Sequence, residues 1–181
     1  DLVVALIEGT NTTIRQKNAK LSFWDTTSGS SNRITDVEFP DPLITALKNV
    51  NGILYVWSGS ASGGCRLSRL VGSYTVEQVW YNEDVFPPLQ GAVDHDLDRI
   101  SFGSATTYPE ASASVFAAGS MVGFGPGVHN ILKTTSAGTT PYVTCLKYVQ
   151  NSAFPRIAPI VGWKDASSQG IDKLTTGGAT S

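Results

Sequence analysis

The feature that most constrains the fold is a short segment that recurs three times along the chain. Residues 66–72, 113–119 and 170–177 each carry spaced apolar residues and stop at a glycine. The closing glycines are 47 and 58 residues apart, which is the spacing found in arrays of four-stranded units. Short runs of spaced apolar residues are typical of half-buried β-strands. The recurrence therefore predicts a strand-rich unit repeated along the chain.

Two further sets of segments recur in the same order. The first set places a small residue beside a large apolar one, at residues 5–7, 46–48, 92–94 and 145–147. The second set is rich in β-forming residues and closes on an aromatic ring, at residues 21–24, 53–57, 99–102 and 157–163. One bulky ring per unit is expected to pack between neighbouring sheets. We therefore expect Trp57 and Trp163 to be largely buried and Trp24 at least partly buried.

Turn signals divide these strands into units. Asn51-Gly52 predicts a tight hairpin, and residues 76–80 supply a fourth strand to the second unit. Prolines precede each new unit, where a missing N–H removes no ladder bond; they are Pro40, Pro42, Pro87, Pro88 and Pro141. The prediction is one all-β module with units at 1–40, 41–86, 87–140 and 141–181. A β-sandwich or jelly roll built from the same strands is the alternative, because periodicity does not reveal strand order.

The sequence predicts little helix and strands at both ends of the chain. Apolar residues rarely recur at the spacing of a helical face, so no helix longer than about two turns is expected. Residues 2–7 and 171–176 read as strands without caps. We expect the chain to be a fragment of a larger polypeptide, with open strand edges at both ends.

The charge distribution argues against two classes of partner. Thirteen Lys and Arg residues are scattered among 15 Asp and Glu residues, whereas a nucleic-acid surface needs clustered cations. No segment approaches the roughly 18 to 20 apolar residues that span a bilayer. Neither nucleic acid nor a membrane is therefore an expected partner. Arg66 and Arg69 are predicted to be solvated strand positions.

A run of three aspartates is the strongest candidate for a metal site. Asp94, Asp96 and Asp98 alternate as in a calcium-binding loop. Such a loop needs glycine at its sixth position and a bidentate glutamate at its twelfth, where this chain has Arg99 and Ala105. The run is therefore predicted to be a solvated hairpin turn, and no metal is expected.

Two histidines and one glycine-flanked serine motif are the candidates for acid–base and nucleophilic catalysis. His95 and His129 are the only imidazoles; neither has a ligand at helical spacing, and both are predicted to be surface residues. Residues 59–63 have the glycines of a nucleophile elbow, but Ala61 stands where the serine belongs. This segment is predicted to be a flexible loop.

Two further patterns also fail as sites. Residues 123–127 are glycine-rich, but a dinucleotide-binding fingerprint would need a third glycine at Val128. Glu83-Asp84 with Glu110 could form a carboxylate pair, yet any chain with 15 acidic residues offers such pairs by chance. No catalytic residue and no cofactor is therefore predicted.

The cysteines and one sequon bear on the cellular compartment. Cys65 and Cys145 are 80 residues apart and match no Cys-x-x-Cys spacing. We expect two buried free thiols, with a disulfide as the alternative. Asn11-Thr12-Thr13 fits a glycosylation sequon, which matters only in a secreted protein.

Aromatic residues in polar segments are candidates for a contact surface. They are Tyr81, Phe86, Tyr108 and Phe124, with Ser, Thr and Gly nearby. Rings with short polar neighbours suit contacts with proteins or glycans, and they also suit packing between sheets.

The repeated strands resemble the four-stranded blades of β-propellers over essentially the whole chain. The signatures of known repeat families are incomplete: Trp24-Asp25 occurs once, and paired glycines appear only at 63–64 and 177–178. In composition the chain resembles β-structured modules of viral and phage virions, both tail and capsid proteins. The resemblance implies a non-enzymatic module that contacts other subunits or the rest of its own polypeptide, in a virion or outside the cell. A secreted carbohydrate-binding or glycoside-cleaving domain, with a glycan as its partner, is the alternative.

Overall fold

A computed structural model describes residues 2–7, 18–27, 29, 31–96, 99–106, 112–121, 125–135, 142–151, 154–164 and 168–173. Side chains are described within 18–27, 29, 31–96, 100–104, 142–149, 160–164 and 168–171. These parts of the chain hold fourteen β-strands and one 3-10 turn, Gln90–Ala92, and contain no α-helix. The expected all-β class is confirmed.

The strands form four antiparallel sheets, and within each sheet neighbouring strands are consecutive in the chain. Sheet 1 contains β1 (Leu2–Ile7), β2 (Lys20–Asp25) and β3 (Asn32–Glu38). Sheet 2 contains β4 (Leu43–Val50), β5 (Ile53–Gly59), β6 (Cys65–Val71) and β7 (Thr75–Asn82). Sheet 3 contains β8 (Val93–Asp96), β9 (Arg99–Thr106), β10 (Ser112–Met121) and β11 (Gly125–Thr135). Sheet 4 contains β12 (Tyr142–Asn151), β13 (Phe154–Lys164) and β14 (Gln169–Lys173).

The predicted hairpin at Asn51-Gly52 is present between β4 and β5. Both residues have positive φ, 52° and 84°, as a type I′ turn requires. The Asn49 side-chain oxygen accepts a hydrogen bond from the Gly52 N–H at 3.1 Å. The turn sequence therefore sets the register of the first hairpin of sheet 2.

Apolar cores lie between consecutive sheets. Sheets 1 and 2 share one core, which includes Leu21, Phe23, Phe39, Ile44 and Val56. Sheets 2 and 3 share the next, which includes Ala46, Trp57, Leu67, Ile100 and Phe102. Ala92, just before β8, packs with residues of sheet 4, namely Val143, Leu146 and Val161. Sheet 2 is therefore buried on both faces, with the adjacent residues Val56 and Trp57 of β5 in different cores.

One extra residue interrupts the last strand of sheets 1, 2 and 3. The pairing of β6 with β7 passes from Leu67–Trp80 to Ser68–Gln78 and leaves out Val79. Ile34 of β3 and Ile131 of β11 are left out in the same way. Such a bulge changes which face the following residues occupy. In β7 it lets Val76 pack on the first core while Trp80 packs on the second.

The tryptophans predicted to pack between sheets, Trp24, Trp57 and Trp163, differ in burial. Trp57 is 0% exposed, and its ring meets Phe102 edge-on with centroids 5.7 Å apart, so its predicted burial is confirmed. Trp24 is half-buried, as expected. Trp163, which was also predicted to be largely buried, is of intermediate burial and therefore less buried than Trp57. Strand alternation puts Trp163 on the same face as Val161, which packs toward the preceding sheet, sheet 3. Trp57 lies on the face of sheet 2 that packs toward the following sheet, also sheet 3.

Candidate functional site

The most connected charged group is Asp94, on the first strand of sheet 3. Lys48 of sheet 2 donates from Nζ to Asp94 Oδ1 at 2.8 Å. The backbone N–H of Tyr148, in sheet 4, donates to Oδ2 at 3.1 Å, and Lys147 Nζ lies 3.8 Å from that oxygen. This carboxylate therefore joins the first strands of three sheets.

The predicted hairpin at the aspartate run agrees with the antiparallel pairing of β8 and β9, in which Asp96 stands opposite Arg99. The prediction that the run is solvated is wrong for the two aspartates whose side chains are described. The Asp94 side chain is 14% exposed and Asp96 is buried, because β8 lies between β4 and β12. His95 is half-buried rather than a surface residue, and its buried Nδ1 has no partner among the described residues. Asp98 lies outside the described residues.

Hydrogen bonding outweighs burial at Asp94. Burial raises the pKa of this carboxyl. Hydrogen bonds from Lys48 and from the backbone N–H groups of Tyr148 and His95 together lower it by more than burial raises it, so that the pKa lies below its ordinary value. The ionised form is thus the stable one, and its two oxygens already accept bonds from the protein. Within the described residues, no group of three or more His, Cys, Asp or Glu side chains could hold a metal ion. The arrangement suits a structural link between sheets 2, 3 and 4, which we call the Asp94 clasp; it consists of Asp94, Lys48, Lys147 and the Tyr148 N–H.

Gln90 makes a second clasp beside the first. Its side-chain oxygen accepts from the Leu47 N–H at 2.8 Å, and its side-chain nitrogen donates to the Leu47 carbonyl at 2.9 Å. The two bonds connect the 3-10 turn before sheet 3 to the first strand of sheet 2. Sequence reasoning missed Gln90, because a lone glutamine in a proline-rich connection gives no signal.

Arg66 belongs to a polar network and is not the solvated residue that was predicted. Its Nε donates to Asp41 Oδ2 at 2.8 Å, and the same oxygen accepts from Ser58 Oγ at 2.6 Å. The guanidinium lies 4.7 Å from the Tyr81 ring centre and also contacts Gln78. Arg66 and Ser58 are cross-strand partners, and Asp41 in the sheet 1 to sheet 2 crossover reaches both.

Arg69 behaves differently from Arg66. It pairs with Glu77 at 2.8 Å, and both side chains are exposed, as expected for a solvated strand position. The hydrogen bond from Arg69 and the attraction of its charge lower the pKa of Glu77. An exposed pair of this kind contributes little to stability.

Both cysteines are free, but only one is buried. Burial, with a smaller effect from Asp41, raises the pKa of the Cys65 thiol to about 12, so it behaves as an apolar core residue. Cys145 is exposed, against prediction, because its neighbour Leu146 takes the buried face of β12. The disulfide alternative is not realised.

An apolar cleft of about 360 Å³ lies where the β7 to β8 connection meets sheets 3 and 4. It is lined by Phe86, Pro87, Pro88, Leu89, Gly103, Ser104, Tyr142 and Val143. The Ser104 hydroxyl donates to the Phe86 carbonyl, and none of the described residues that line the cleft is charged. The site suits a neutral, apolar group.

The remaining sequence candidates are dispersed. Residues 125–130 belong to β11, so the glycine-rich segment and His129 lie partly in a strand and not in a turn. Residues 60–64 connect β5 to β6 as a loop, and Glu83-Asp84 are exposed in the connection after β7. Tyr108, Glu110, Phe124 and the sequon at Asn11 lie outside the described residues.

Exposed apolar side chains on outer strands were not anticipated, apart from Tyr81. Ile34 of β3, Val79 of β7 and Ile171 of β14 are all exposed. Ile34 and Val79 are bulge residues, so they fall outside the regular alternation of their strands. Local sequence gave no bulge signal at either position. Each of these residues is a candidate contact with another protein surface.

Comparison with known proteins places no further limit on the function. Among the described residues, no helix has the length and apolar character needed to cross a membrane. No protein-family model matches the chain, and no curated protein is significantly similar to it.

Proposed function

We propose that the chain is a non-enzymatic structural module that makes protein–protein contacts in a larger assembly. The observation that carries the proposal is the exposure of Ile34, Val79 and Ile171 on the outermost described strands of three sheets. Aliphatic side chains that serve no internal core are available to a partner surface. The polar clusters at Asp94 and Asp41 are internally paired and serve as clasps, which fits a structural role.

We further propose that the four sheets are successive blades of a propeller-like array, with β4, β8 and β12 on its inner side. Three observations support this arrangement. Strand order within each sheet is sequential, neighbouring sheets share apolar cores, and Asp94 links the three first strands. A jelly roll would instead place strands from distant parts of the chain side by side.

A viral or phage virion, in its tail or capsid, is the assembly that we propose. Support comes from the composition: 15% charged residues and loops rich in Ser, Thr and Gly. The described outer strands add exposed aliphatic residues, which suit contacts between subunits that stay assembled.

A secreted carbohydrate-binding domain is the second candidate, and one observation favours it. The rings of Phe86 and Tyr142 both line the apolar cleft, and sugars stack on such rings. The scarcity of free polar groups there weighs against it, because sugar recognition needs several hydrogen-bonding side chains.

The test compares the assembled protein with the free chain. The full-length polypeptide is tagged and purified with its assembly from its native source, and native mass and backbone hydrogen exchange are measured. We expect a complex of several subunits, with slower exchange in β3 and β7 than in the free chain. A free monomer that binds glycans in an array, with binding lost in Tyr142→Ala, would replace this proposal by the second candidate.

A further inference from the structure

We propose that β14 pairs antiparallel with β14 of a second copy of this chain, so that two copies of sheet 4 join across a two-fold axis. The inference rests on the proposed role as an interaction module, and it names the partner and the strand. An antiparallel pair of identical strands is self-complementary, as a two-fold interface requires.

The edges of the sheets differ in their suitability for strand addition. The last strands of sheets 1 to 3, β3, β7 and β11, each contain a bulge, at Ile34, Val79 and Ile131. The edge strands β4 and β12 are also interrupted, at Thr45 and Thr144. A bulge disrupts the ladder and protects an edge from pairing with another chain. In contrast, β14 pairs with β13 from Gln169 to Lys173 without any shift, and among the described strands β13 is its only partner. The edge strands β1 and β8 are also regular, but of these three edges β14 is the one with a described, exposed large apolar side chain, Ile171.

Ile171 marks the centre of the proposed contact. It is 77% exposed, more than any other large apolar residue described. It stands opposite Gly162, which has no side chain to cover it. The other face of β14 is occupied, since a Cβ at Gly170 would stand 2.7 Å from the Trp163 ring.

The sequence of β14 favours a register centred on Ile171. With Ile171 opposite Ile171 of the second copy, Asp172 faces Gly170 and Lys173 faces Gln169. No like charges are then directly opposite, and the two most exposed apolar side chains cover each other. A register centred on Asp172 would instead oppose two carboxylates, which destabilises a strand pair. Because the strand is short, the dimer is expected to form reversibly and to depend on concentration.

A disulfide trap tests the register in the full chain. Ile171→Cys is made in a Cys145→Ser background, with Val79→Cys in the same background as the matched control from an exposed, bulged edge. Opposite residues of an antiparallel pair have Cβ atoms about 4.5–5.5 Å apart, within reach of a disulfide after a small adjustment. We expect oxidation to convert most of the Ile171→Cys protein into a reducible dimer, while the Val79→Cys protein stays monomeric.

Sedimentation equilibrium tests the contact without a cross-link. The average mass of the parent chain should rise toward twice the monomer mass with concentration. Ile171→Lys should remain monomeric with an unchanged circular dichroism spectrum, and Val79→Lys should behave like the parent.

Three outcomes would overturn the inference. They are a parent chain that stays monomeric with no Ile171→Cys dimer, equal cross-linking through Val79→Cys, and an Ile171→Lys protein that still doubles its mass. The last result would assign association to another surface and leave the proposed interaction role standing. Failure of that broader role is seen separately, as a free monomer in the native source.

Discussion

Replacing Trp57 with alanine tests the core between sheets 2 and 3. The indole is 0% exposed and lies in a cluster with Leu67 and Ile100. Its ring also makes the edge contact with Phe102. Truncating a buried tryptophan costs about 3–5 kcal/mol through lost burial and the cavity left behind. The aromatic pair contributes about 0.5–1.5 kcal/mol beyond its area, so we expect the upper part of that range.

Trp163→Ala is the matched control, because it removes the same side chain from a half-buried site. Its ring covers Gly170 on one side and is partly exposed. We expect a loss of about 1–2 kcal/mol, as for ordinary single substitutions. Sequence reasoning alone treats the two tryptophans as equivalent, so the difference between them tests the register of sheet 4.

Equilibrium urea denaturation, followed by fluorescence and circular dichroism, measures both losses. With a slope of about 1–3 kcal/mol per molar urea, Trp57→Ala should lower the midpoint by roughly 1–5 M, and Trp163→Ala by clearly less. Equal midpoints for the two variants would refute the assignment of Trp57 to a fully packed core. An unchanged midpoint in Trp57→Ala would refute the stacked arrangement of sheets 2 and 3.

Further predictions concern the clasp, the thiols and the hairpin. Asp94→Ala should cost about 1.5–3 kcal/mol, since it removes charge-assisted hydrogen bonds; the loss should be no smaller than that of Lys48→Met, in the same denaturation assay. Because the folded pKa of Asp94 lies below its ordinary value, its contribution to the free energy of unfolding is present above about pH 5 and is lost as the pH falls through the folded pKa. If the free energies of unfolding of Asp94→Ala and the parent fell in parallel below pH 5, this expectation would be contradicted. Calcium or a chelator should leave the melting temperature unchanged, and a rise of several degrees with calcium would contradict the clasp. A thiol reagent at neutral pH should modify Cys145 rapidly and Cys65 only on unfolding, because the pKa of Cys65 is about 12; two fast-reacting thiols would be inconsistent with its burial. Gly52→Val should destabilise the chain, as a β-branched residue resists the positive φ at that position; an unchanged melting temperature would count against the type I′ turn.

Much of the strand content could be predicted from the sequence, because alternation and turn residues act locally. Residues 53–57 lie in β5, residues 66–71 lie in β6, and the Asn51-Gly52 turn joins β4 to β5. These features depend on neighbours within a few positions, which the sequence displays directly.

The environment of individual side chains could not be predicted, because it depends on which sheet covers which face. Arg66 has the sequence context of a solvated residue, yet the Asp41 crossover lies over it. Cys145 has the context of a core residue, yet Leu146 occupies the buried face. A one-residue bulge reverses the two faces of a strand, and no local signal marks the bulges at Ile34 and Val79. The exposure of Ile34 and Val79 could therefore not be predicted from the sequence.

The two-faced burial of β5 has a consequence for how the molecule opens. Val56 packs toward sheet 1 and Trp57 toward sheet 3, so the same backbone segment supports both cores. Solvent cannot enter one interface without loosening the strand that supports the other. Sheets 1 to 3 should therefore exchange their slowest amide protons with a single opening free energy, as one cooperative unit. A ligand or subunit that grips any one of these sheets would then slow local opening in all three.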